Sequence, residues 1–186
     1  MGAEYKQLIK LQKQIEDLQK FGIDNFAREV TNEVGQRFYA KVVKRTPVGK
    51  KPSMSKFLGG KPKTIKVTGA SGKTKSFLSA DAVNYHKYWD GYVGGNLRRN
   101  WTITRAKRYS NTYVVKVTNP TEYAPYVEFG HRQNVGRYVP QINKRLKQGW
   151  VEGRFMMTKT EYEIEKQMPS LVQRRLNEYL IKRFKV

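Results

Sequence analysis

The chain has 186 residues, enough for one packed domain with an arm, and 38% apolar with 12% aromatic content excludes a wholly disordered polymer. Without cysteine it has neither a disulfide framework nor a thiolate metal site, and no apolar run approaches the ~20 residues of a membrane span. Thirty-seven Lys and Arg against 15 Asp and Glu give a formal charge of +22, which requires polyanions or acidic protein surfaces as neighbours.

The charge is segregated. No acid occurs from Val34 to Ala80 or from Gly91 to Thr121, and most acids lie in the first 33 residues or from Glu152 onward. The N-terminus lacks the apolar core of a signal peptide, so the expected product is soluble and cytoplasmic.

Leu8, Leu11, Ile15 and Leu18 recur at three- and four-residue steps and predict an amphipathic helical arm over residues 1–22. After Gly22, with Asp24 or Asn25 as cap, Phe26, Val30, Val34, Phe38 and Val42 predict a long helix to Arg45, either continuous with the first or separate. Thr46-Pro47-Val48-Gly49 ends it, because proline offers no backbone donor and disfavours helix before it.

Residues 50–75 carry eight lysines and no acid, which reads as a surface loop. Within this stretch Thr64–Thr68 pairs with Ser76–Leu78 across a Gly-Ala-Ser-Gly turn as a candidate hairpin arm. Tyr85, Tyr88, Trp89 and Tyr92 are expected to form a satellite apolar cluster rather than a base-stacking platform.

Gly94–Trp101 leads into Thr102–Thr104, and Tyr113–Thr118 returns as its antiparallel partner. Trp101, Ile103, Tyr113, Val115 and Val117 share parity, so that side should face the long helix. Arg98, Arg99, Arg105, Lys107 and Arg108 are placed on edges or the outer side. Tyr123–His131, with a proline near its start and glycine near its end, predicts one or two buried helical turns at a corner.

Residues 131–149 read as a long basic loop reaching a neighbour, and Trp150–Met157 as a further strand. Thr158-Lys159-Thr160-Glu161 offers a capping box, with an alternative from Thr160 to Glu163. Ile164, Met168, Leu171, Val172, Leu176, Tyr179 and Leu180 predict a C-terminal helix, kinked or restarted at Pro169, with Lys182, Arg183 and Lys185 at its negative end. The expected fold is α+β: a small antiparallel sheet against a long N-terminal and a C-terminal helix, with long basic loops or a hairpin arm. Residues 23–186 make the domain, with a lysine-rich insertion at about 50–92.

Catalytic chemistry has little to work with. His86 and His131 lie in no metal-ligand spacing, and the chain has no phosphate loop or nucleophile elbow. Glu128 and His131 are three residues apart, but Gly130 should end the turn between them. The expectation is no enzyme, no catalytic or metal residues and no cofactor.

Three fragments carry a resemblance: Thr46-Pro47-Val48-Gly49 after a helix, Gly95-Asn96-Leu97-Arg98-Arg99-Asn100-Trp101 before a strand, and Tyr123–His131. Together they resemble the gene-product-ten-like tail-completion family of long-tailed bacteriophages over most of residues 24–184. That family runs almost directly from Thr-Pro-Val to Gly-x-Leu, whereas about 45 residues intervene here. Gly153-Arg154-Phe155-Met156 resembles the family's closing element.

The resemblance implies a virion protein made in the bacterial cytoplasm. It would complete or join the tail at the head–tail interface as a ring, often sixfold, around the DNA channel. The implied partners are copies of itself, other neck and tail proteins (connector or stopper, terminator or tube) and genome DNA in the lumen, with no membrane. Tyr123, Tyr126, Val127, Glu128, Phe129 and Gly130 then form a structural corner. Lys50, Lys51, Lys61, Lys63, Arg98, Arg99, Arg132 and Arg137 are candidate DNA-facing or interface cations. The alternative is a nonspecific nucleic-acid-binding protein gripping phosphates through its basic loops.

Overall fold

The computed structural model describes residues 9, 10, 12, 13, 15–17 and 22–184. Leu8, Leu11 and Leu18 of the N-terminal stripe, and Lys185, lie outside these. Ile15 is exposed on helical backbone. The chain divides into two compact units, one from residues 1–46, 100–121 and 155–186, the other from 47–99 and 122–154.

The first unit is built on α1 (Ile23–Arg45) and α6 (Met156–Phe184). They run antiparallel: Phe26 packs on Tyr179 with ring centroids 5.5 Å apart, and Lys41 Nζ reaches Glu163 Oε2 at 2.9 Å. Between these points Arg175 Nε donates to Glu33 Oε2 at 2.5 Å. Arg45 donates to Thr160 Oγ1 at 2.9 Å and also ion-pairs with Glu163. Val42, Ile164, Leu171 and Met156 are buried.

Four short strands complete this unit. β3 (Thr102–Ile103) pairs with β6 (Val117–Thr118), and β4 (Lys107–Tyr109) with β5 (Thr112–Val114). The expected single sheet is thus divided into two-stranded ladders. The side carrying Trp101 and Val115 still faces α1, because Trp101 is buried and Val115 presses on Gly35 of α1. Asp24 is no cap. Its carboxylate accepts from Arg108 at 2.7 Å and from Tyr113 at 2.5 Å, fixing the β4–β5 ladder to the start of α1.

α6 corrects three expectations. It begins at Met156, so Thr158 and Thr160 stand inside it, and the Thr160 hydroxyl donates to the Met156 carbonyl instead of capping. It also continues through Pro169 without restarting. The expected single apolar face is split: Ile164 and Leu171 are buried, whereas Met168 and Leu176 are 40% and 41% exposed.

The second unit has its own core. α2 (Met54–Leu58) lies inside the supposed loop, capped by the Ser53 hydroxyl accepting from Lys56 N. Its Phe57 and Leu58 are buried with Ala82 and Tyr85 of α3 (Ala80–Trp89). Phe57 and Tyr85 meet edge to face at 5.4 Å, and Tyr85 donates to the Pro52 carbonyl at 3.0 Å. Of the aromatic run, Tyr85 is buried in this cluster and Trp89 packs against it, whereas Tyr92 is exposed. Between the two helices, β1 (Thr64–Thr68) and β2 (Thr74–Leu78) form the expected hairpin, with every residue exposed. A Ser79 N to Lys63 O bond of 2.8 Å closes its base.

The insertion leaves and returns at one place. A methyl group on Gly94 would collide with the Gly49 carbonyl oxygen, and the Val48 side chain lies against Gly94 and Gly95. The short helix α4 (Asn96–Arg99) follows, within the segment that leads into β3.

Candidate assembly surfaces

α5 (Ala124–Phe129) forms the predicted corner, with proline in its first turn and Gly130 as its C-cap at φ 87°. Glycine is needed there for two reasons. The positive φ disfavours any Cβ, and a Cβ would also run into the Val151 carbonyl oxygen. The Arg154 amide closes the corner on Val127 O at 2.8 Å.

Burial within the corner inverts the expectation. Glu128 is 5% exposed, whereas Tyr123, Tyr126 and Phe129 are 44%, 59% and 61% exposed and Val127 is half-buried. The corner is held by backbone bonds and close approach at Gly130, leaving its aromatics on the surface. Tyr123 OH accepts from Asn96 Nδ2 at 3.4 Å. His131 is the middle residue of the next strand, packs edge-on against Tyr126 at 6.0 Å, and its buried Nδ1 has no hydrogen-bond partner.

Residues 130–152 are not a structureless loop. β7 (Gly130–Arg132) pairs with β10 (Trp150–Glu152), Gln133 N bonds Gly149 O at 2.8 Å, and β8 (Tyr138–Val139) pairs with β9 (Lys144–Arg145). The ladder slips by one residue beside Arg137, where Leu146 N donates to Arg137 O while Gly136 N donates to Leu146 O. This is a bulged hairpin, and such a slip turns a strand and increases its twist. Its tip is anchored. Trp89 Nε1 donates to Gln141 O at 2.7 Å, and Asn143, at φ 52°, reaches Phe57 O at 3.2 Å.

All candidate site residues fall in this second unit. Lys50, Lys51, Lys63, Arg132 and Arg137 are exposed, and Arg98 is half-buried. Lys61 and Arg99 are engaged locally. Lys61 Nζ contacts Asp81 at 2.7 Å, and that hydrogen bond raises its pKa above the usual lysine range. Arg99 donates to Gly94 O at 2.7 Å, bracing the turn where the insertion returns. Sequence reasoning missed the anchored tip, although Trp89 and Asn143 were visible as a large donor and a residue tolerant of positive φ.

No group of three or more His, Asp or Glu able to hold a metal occurs among the described residues, and none of their helices is long and apolar enough to cross a membrane. A family model described as "Bacteriophage HK97-gp10, putative tail-component" matches residues 9–130, more than half of the chain. The chain belongs to this HK97 gp10-like family. It is a structural phage tail component by that membership, not a member of a known enzyme family. The match ends at Gly130, so the Gly153–Met156 segment and α6 lie beyond it. Comparison with curated proteins and with solved structures finds no match.

For this tail component the match includes the helix, the Thr-Pro-Val turn, the insertion and the corner. In the second unit, Ile65, Val67, Phe77 and Leu78 of the β1–β2 hairpin and Tyr126 and Phe129 of α5 are among the large apolar side chains left exposed.

Proposed function

We propose that this tail component completes or joins the tail at the head–tail interface, as a ring of identical subunits around the DNA channel. Six copies is the number implied by the resemblance. The observation that carries the reading is the exposure of Tyr126 and Phe129 on a corner with a rigid backbone. Aromatics held this way suit a protein contact, because they bury large area at low entropic cost. The basic hairpins β1–β2 and 130–152 would meet acidic neighbours or line a lumen that holds DNA without reading its bases.

The test is a phage lacking this chain. Free filled heads beside unattached tails are the expected outcome, and particles that mature normally reject the role. A second reading, nonspecific DNA binding by a monomer, is favoured by exposed Lys50, Lys51, Lys63, Arg132 and Arg137 in one unit. Tight duplex binding by a monomer, falling steeply from low to moderate salt, would favour that reading over the ring.

A further inference from the structure

Two surfaces of this chain lack cover and match each other. On β1–β2 the register places Ile65 opposite Phe77 and Val67 opposite Lys75. Directly opposed residues share a face, so Ile65, Val67 and Phe77 lie together with Lys75, and by the same alternation with Lys63 and Lys73. The three apolar side chains are 46–51% exposed. The other face holds Thr64, Lys66, Thr68, Thr74, Ser76 and Leu78, with Thr68 and Thr74 hydroxyls 3.0 Å apart. A two-stranded hairpin exposed on both sides is marginal in water. An apolar side flanked by lysines needs a partner that is both apolar and acidic.

The outward side of α6 has that chemistry. Glu161, Glu165, Met168, Val172 and Leu176 follow three- and four-residue steps and so form one stripe. Glu165, Met168, Pro169, Val172 and Leu176 line a shallow trough. Elsewhere on α6, Glu163 and Glu178 are held by Lys41, Arg45, Arg174 and Arg175. Glu161 and Glu165 form no ion pair among the described residues, in a chain with 37 cations to 15 acids. Pro169 also supplies no amide proton to the Glu165 carbonyl.

We propose that the lysine-flanked Ile65, Val67 and Phe77 face of one copy docks on the Glu161–Leu176 stripe of a second copy. Two different patches meet, so each copy offers one and receives the other, the heterologous arrangement that a ring requires. The hairpin lies in the insertion, and α6 lies beyond the residues that the family model matches. It rests on the ring reading above and specifies which surfaces build it.

The absence of cysteine makes the test clean. Full-length Val67→Cys and Leu176→Cys proteins are purified separately, then oxidised alone and mixed, with light scattering on the same samples. A disulfide-linked dimer is expected only in the mixture. It should be lost when Glu161→Lys and Glu165→Lys are added to the Leu176→Cys protein, and regained when Lys73→Glu and Lys75→Glu are added to the Val67→Cys protein. Oligomers without the mixed cross-link overturn this docking and leave the ring standing. Equal cross-linking of either protein alone overturns it too. Monomers at every concentration overturn both.

Discussion

Trp101 Nε1 donates to Thr46 Oγ1 at 2.7 Å, while the same hydroxyl donates to Val42 O at 2.7 Å. Thr46 is 0% exposed and Trp101 is buried, so one oxygen both ends α1 and anchors the residue that leads into β3. The first two fragments of the family resemblance thus meet at one hydrogen bond. In Thr46→Val the shape survives but the indole N–H is left buried and unpaired, a loss of about 1–3 kcal/mol. At roughly 2–4 °C per kcal/mol for a chain of this size, the Tm should fall by several degrees. Thr46→Ser should recover most of the fall, and equal melting of the two variants would count against the bond.

Gly130→Ala should damage the corner more than any substitution of its exposed aromatics. Positive φ alone costs about 1–3 kcal/mol, and the collision with Val151 O adds to it. Phe129→Ala, at an exposed site, should stay within about 0.5 kcal/mol of the parent while weakening self-association. Urea melts and sedimentation separate the two effects, and a Phe129→Ala variant that unfolds would mean the ring is structural.

Acid should loosen α1 from α6. Lys41 and then Arg45 hold the Glu163 carboxyl below its ordinary range, and Arg175 does most to hold Glu33 there. Groups with depressed folded pKa values stabilise the fold above the unfolded value of 4.5, and lose that contribution as pH falls through the folded value. The Tm should therefore drop below about pH 4.5. Glu33→Gln with Glu163→Gln should lower the Tm at pH 7 and flatten the acid limb; an unchanged acid limb would show that these pairs contribute nothing.

Excising 64–78 and bridging Lys63 to Ser79 with a short Gly-Ser turn should leave the Phe57, Leu58, Ala82 and Tyr85 cluster intact. Monomer melting should be unchanged and assembly weakened. Deleting 50–75 outright is a different experiment, because it removes α2 and with it Phe57 and Leu58 from the cluster. Collapse of the shorter excision in a melt would mean that the hairpin supports the core.

The legible parts of the fold were those with a strong local signal. Four-residue apolar spacing set α1, Pro47 ended it, and strand alternation put Trp101 and Val115 toward it. The aromatic corner was legible as a turn of helix closed by Gly130, but not in its burial. Backbone contact at Gly130 holds it, so Phe129 is free to face outward. α2 was hidden because Lys51, Lys56 and Lys61 surround its two buried residues and lower the local hydrophobicity. The hairpin at 130–152 was hidden because its strands are two or three residues long and it is anchored through Trp89 and Asn143, distant in sequence.

The measurement that bears most directly on this tail component is its position in intact particles of the phage that encodes it, imaged by electron cryomicroscopy with this chain labelled. A closed ring of copies at the top of the tail, against the head vertex, is the predicted result. The label spread along the tail, or absent from mature particles, would contradict it.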